Sequence, residues 1–159
     1  MISITPNPQS LAARLFTDKT FDNFLLAEAS FATDYIVSVD GSCQQKAESG
    51  EENAAPGAAA ESHIRWESFR PVALQLVKGS RPPQAFHIVL MLSRRKLQDF
   101  IAASRCEIDP EDVAGLCINL RFQDEKLTVT TGCALKIFTP DRTLEKAWDR
   151  QVENFIEKM

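Results

Sequence analysis

Apolar positions along this chain follow two periods, and the switches between them mark out the elements. Ile2 and Ile4 alternate with polar neighbours, as a brief strand does. Asn7 then offers a helix cap and Pro8 a first helical position whose φ is already set. Leu11, Ala12, Leu15 and Phe16 follow at helical spacing. Residues 24–31 and 35–39 read as two strands, and Asp40-Gly41 is a turn signal closing the second. Over 66–79 the helical period returns in Trp66, Phe69, Ala73, Leu76 and Val77. Lys78 and Gly79 stand where that helix ends, Pro82-Pro83 lie beyond, and Pro71 falls close enough to the start to be tolerated. Residues 85–92 are apolar at nearly every position, the pattern of a central strand covered on both faces.

Ser93 is an N-cap held between Leu92 and Leu97, the two halves of a hydrophobic staple. The helix it starts, 94–104, carries Leu97, Phe100 and Ile101 on one side, and Asp109-Pro110-Glu111-Asp112 reads as a capped single turn. Leu116, Ile118, Leu120 and Phe122 then alternate with polar or small residues, as do Leu127, Val129 and Thr131, and Cys133, Leu135 and Ile137 continue past Gly132. This predicts a three-stranded antiparallel meander over 116–138 whose wet face holds Asn119, Arg121, Thr128, Thr130 and Lys136. Thr139-Pro140 opens a final helix, 140–158, on which Leu144, Ala147, Trp148, Val152, Phe155 and Ile156 form a stripe that must dock. The sum is an α+β fold, a mostly antiparallel sheet of about six strands with helices packed on one face.

Composition adds limits rather than detail. Residues 41–63 contain no large apolar side chain and read as a low-complexity loop within a single domain spanning 1–159. Apolar residues are 44% and charged residues 25%, a mixture that supports an ordinary core. The net charge of −4 argues against general affinity for nucleic acid or anionic membranes, since phosphate surfaces call for a basic partner. No apolar run approaches the ~20 residues that span a bilayer, and the N-terminus lacks the basic and apolar regions of a signal peptide. Cys43, Cys106, Cys117 and Cys133 are scattered with no C-x-x-C, which fits free thiols in the cytoplasm.

The element order hints at an internal repeat: strand, helix and hairpin before the loop, then strand, helix and meander after 66–79. This is similar, in topology alone, to the β-α-β-β-β units of DNA sliding clamps. A second resemblance lies in residues themselves. The stretch 20–29, Arg70-Pro71 through Lys78-Gly79, Pro110 to Leu116 running into Thr130-Thr131-Gly132, Phe138-Thr139 and Ala147-Trp148-Asp149 together resemble a family of small uncharacterised Clostridia-type bacterial proteins, a domain of unknown function. That resemblance implies a bacterial cytoplasmic setting and brings no catalytic residues with it.

Candidate chemistry is sparse. His63 and His87 form no H-x-x-x-H or H-E-x-x-H, and no cysteine pair has zinc-ligand spacing, so neither metal nor cofactor is expected. Cys133 follows Gly132 in the manner of a nucleophile beside a kink, yet no base or cation adjoins it in sequence, and a buried structural thiol is the simpler reading. Glu28 interrupts an apolar strand, where a carboxylate is a tuned acid or base if buried, or else faces solvent or pairs with a cation such as Arg70. The unusual feature is basic. Arg94, Arg95 and Lys96 occupy the first turn of a helix, against the positive end of its dipole. Nearby acids such as Asp99 are one offset; an anionic ligand or acidic partner bound by Arg94, Arg95, Lys96 and Arg70 is the other. Arg65, Lys78 and Arg81 are possible extensions of that patch. The expectation is a non-enzymatic binding or accessory protein, with a protein partner or anionic ligand and no membrane. A clamp-like nucleic-acid module and an enzyme built on Cys133, Glu28 or His87 are the alternatives.

Overall fold

The computed structural model describes residues 1–43, 63–79 and 83–158. Most of the 41–63 loop, and Arg81 and Pro82 with it, lie outside the described residues. Six strands form one sheet: β1 (Ser3–Ile4), β2 (Leu25–Ala32), β3 (Ile36–Asp40), β4 (Ala85–Met91), β5 (Val113–Gln123) and β6 (Lys126–Leu135). Their order is β1-β6-β5-β4-β2-β3, and every neighbouring pair is antiparallel. Four helices complete the chain: α1 (Pro8–Phe16), α2 (Trp66–Val77), α3 (Arg94–Ser104) and α4 (Thr143–Glu157). A short 3₁₀ turn, Pro110–Asp112, leads into β5.

Register explains which face is buried. Ile4, Val129, Leu120, Ile88, Ala29 and Val39 stand opposite one another across all six strands. Val129, Leu120, Ile88 and Ala29 are buried, and the helices bury Leu15, Trp66, Leu97 and Trp148 in the same core. The Trp66 indole donates to the Leu15 carbonyl at 2.9 Å, joining α2 to α1, and Phe16 meets Phe86 edge-on at 5.5 Å, seating α1 on β4. Three helix caps match the sequence reading, whereas the final helix begins at Thr143, after Arg142, and not at Thr139-Pro140. Asn7 accepts from the Ser10 amide at 3.1 Å, Ser93 from Lys96 at 3.4 Å, and Asp109 from Glu111 at 3.0 Å.

Two further expectations need correction. β4 is central but covered on one face only: Phe86, Ile88 and Leu90 are buried, while Ala85, His87, Val89 and Met91 are half-buried on the outer face. Small and medium apolar residues there are tolerated because neighbouring strands shade them. Gly132 does not divide two strands. β6 runs through it, with Gly132 opposite Cys117, so the meander is a two-strand hairpin and the second repeat reads β-α-β-β. Gly132 marks a close approach: a Cβ there would come within 2.5 Å of the Cys117 sulfur, which would have to move.

Candidate functional site

α3 and α4 meet through Phe100 and Trp148, whose rings are 5.5 Å apart and nearly perpendicular. Leu144, Trp148, Val152 and Ile156, spaced four apart, bury one stripe of α4, and the Trp148 indole donates to the Cys117 carbonyl at 3.0 Å. That bond fixes the helix against β5. Beyond it the stripe is wider than the core requires. Phe155 turns toward residues 17–24, meeting Phe21 edge-on at 5.4 Å and Phe24 at 5.9 Å. Between these rings lies a cleft of about 400 Å³. Phe24, Phe100, Trp148 and Phe155 form its walls, Thr20, Asn23 and Gln151 supply neutral polar groups, and Lys96 and Asp99 supply one charge of each sign.

The four cations expected to bind an anion divide into two pairs. Arg94 is engaged internally: its guanidinium donates to the carbonyls of Pro110 at 2.8 Å and Val113 at 3.0 Å, and it pairs with Glu111 at 3.1 Å. The charge placed against the α3 dipole thus serves the entry to β5, and Asp99 is not its partner. Arg70 donates to the Asp18 carbonyl at 2.6 Å and to both Asp22 oxygens, at 2.8 and 3.0 Å. It braces the turn that delivers Thr20, Asn23 and Phe24 to the cleft. Arg95 and Lys96 are exposed on the first turn of α3, and Lys96 lines the cleft. Arg65 precedes α2 and bridges to Leu25, and Lys78 caps the other end of α2; neither lines the cleft that Lys96 lines.

The candidate catalytic groups do not gather in this cleft. Glu28 and His87 share the outer face of the sheet on adjacent strands, Glu28 opposite Val89 and Asp40, His87 opposite Ser30 and Arg121. Cys133 borders a different recess, of about 350 Å³, beyond the C-terminal end of α3. Burial, aided by the charge of Glu145, pushes its thiol up to about 11. Among the described residues no group of three or more histidine, cysteine, aspartate or glutamate side chains is placed to hold a metal ion, and no helix is long and apolar enough to cross a membrane. A broad depression of about 1010 Å³ lies between α1, Val77, Pro83 and the β5–β6 turn.

A family model for a family of unknown function, DUF5721, matches residues 14–159. The chain belongs to that family. The DUF5721 match takes in every element that forms the cleft, from the 17–24 turn to α4, and leaves out β1 and most of α1. No curated protein and no solved structure matches the chain.

Proposed function

We propose that this chain is a non-enzymatic binding or accessory protein of the bacterial cytoplasm whose recognition site is the cleft between α3 and α4. Its ligand has an apolar body of roughly aromatic size and a negatively charged end. One observation carries this reading: four aromatic side chains converge on a recess with a lysine at its lip. Ligand sites are typically apolar hollows of about 300–1,000 Å³ with a few placed polar groups, and this cleft has that size and lining. Asp99 balances Lys96, so a bare anion gains little there while an apolar anion gains from both walls and rim. Arg70 acts by position, holding the turn that carries Phe24. Four free thiols agree with a reducing compartment.

The test uses anilinonaphthalene sulfonate, an aromatic anion that brightens in apolar sites, titrated into the intact chain alongside inorganic phosphate. The dye should bind saturably, phosphate should not compete, and Phe100→Ala and Lys96→Ala should each weaken binding. Dye binding untouched by both substitutions removes the site. Phosphate or duplex DNA binding that falls steeply with salt and disappears in an Arg95→Ala, Lys96→Ala double variant would transfer the case to a nucleic-acid or anion module.

A further inference from the structure

A second surface, separate from the cleft, has a different chemistry. The recess beyond α3 takes in Ile108, Cys133, Leu135 and Leu144 within a lining that is more polar than apolar. Its margin carries five carboxylates, Glu107, Asp109, Asp112, Asp141 and Glu145, against one lining cation, Arg142. Lys146 stands near Asp141 and the N-terminal ammonium reaches Glu145 at 2.5 Å, yet the balance stays negative at both thiols that border the recess. Carboxylate charge adds to burial in raising Cys133, through Glu145 and Asp149, and Cys106, through Asp141. On the rim, Ile137 lines the recess, and the next residue, Phe138, is 98% exposed, the most exposed large hydrophobic side chain among the described residues.

Phe138 is held out by its own loop. The Lys136 amide donates to the Asp112 carbonyl at 2.7 Å, anchoring the loop's start. Beyond it the Asp141 amide donates to Thr139 Oγ1 at 3.2 Å, and Asp141 accepts from the Thr143 amide at 2.9 Å. A short loop tied at both ends presents its aromatic side chain with little ordering left to do on binding. Phe138 does not itself line the recess, but its chain neighbours Ile137 and Thr139 do; a fully exposed aromatic so placed can act as an interface anchor, and the surrounding charge selects what approaches it. Cations are drawn both by the carboxylates and by the face of the Phe138 ring.

We propose that this recess, with Ile137 and Phe138 at its rim, docks a basic segment of a protein partner that places an apolar side chain in the hollow and lysine or arginine along the carboxylate margin. The probe is a fluorescently labelled synthetic peptide alternating leucine with lysine, with a leucine–glutamate peptide of equal length as control. Binding to the full chain is read by anisotropy at low and high salt. The lysine peptide should bind, weaken as salt rises, and weaken roughly tenfold or more on Phe138→Ala, as expected for an aromatic anchor. Glu107→Lys should weaken it as well, and Lys96→Ala, in the cleft, should leave it unchanged. Phe138 and Glu107 are both exposed, so neither substitution endangers folding. Equal binding of the two peptides, or wild-type binding by both rim variants, overturns the proposal. So does concentration-dependent self-association of the chain that Phe138→Ala abolishes, since a second copy would then be the occupant.

Discussion

Cys133 shows how a side chain's setting decides its chemistry. Its thiol is shifted to about 11 by burial first and by the charge of Glu145 second, and the thiolate is the reactive form. At neutral pH it should therefore react with iodoacetamide more slowly than a small model thiol, with the rate still climbing as pH approaches 11; mass spectrometry of the modified peptide reads this directly. A Cys133 that outpaces the model thiol would contradict the assigned environment. The same shift has a consequence for stability. Between the unfolded value of 9.0 and the folded value of about 11 the unfolded chain binds fewer protons than the folded one, so this group makes the fold less stable as pH rises through that window. Gly41 is a second residue with no latitude. Its amide donates to the Ala27 carbonyl at 3.0 Å, beside the bulge at Leu26/Glu28, and a Cβ there would overlap the Leu26 carbonyl oxygen. Gly41→Ala should cost about 3 kcal/mol or more, at the upper end of overpacking penalties, measured by urea unfolding. A loss under half a kcal/mol would mean the backbone there has slack.

At the scale of elements, adjacent cations on one helix have unlike duties. Arg94 donates to two carbonyls and pairs with Glu111, whereas Arg95 is exposed one residue later. Bonds from a charged donor contribute about 1.5–3 kcal/mol, and exposed substitutions fall within about half a kcal/mol. Arg94→Ala should therefore lower stability by about 1–2 kcal/mol, allowing for its partial exposure, and Arg95→Ala should leave it unchanged in denaturant titrations. Equal losses would show that the two residues share one role. These caps are legible in the sequence because Asn7-Pro8, Ser93 and Asp109-Pro110 act within three residues of themselves. What Arg94 reaches was not, since Pro110 and Val113 lie 16 and 19 residues on. Gly132 misled for a related reason. A glycine in an alternating run marks either a break or a close approach, and only the register that sets Cys117 beside it tells them apart.

Across the whole molecule, the α+β class and the one-sided packing of helices on an antiparallel sheet followed from hydrophobic period alone. The cleft did not. Phe100 and Phe155 sit on stripes that read as core, and their part in a recess depends on α3 lying beside α4 and on Arg70 bracing a turn that lies 48 residues earlier in the chain. That spatial fact has no counterpart in spacing along the chain. Fold class is a sum over local patterns, whereas a binding surface is a product of long-range neighbours, which is why one was readable and the other was not.

α4 borders both hollows. Leu144 and Glu145 near its start face one, Gln151 and Phe155 near its end face the other, and the Trp148 bond to β5 lies between them. Because Leu144, Trp148, Val152 and Ile156 bury one stripe along its whole length, the helix is a single rigid wall common to both hollows, and a substitution that unseats it from the core should deform the two together.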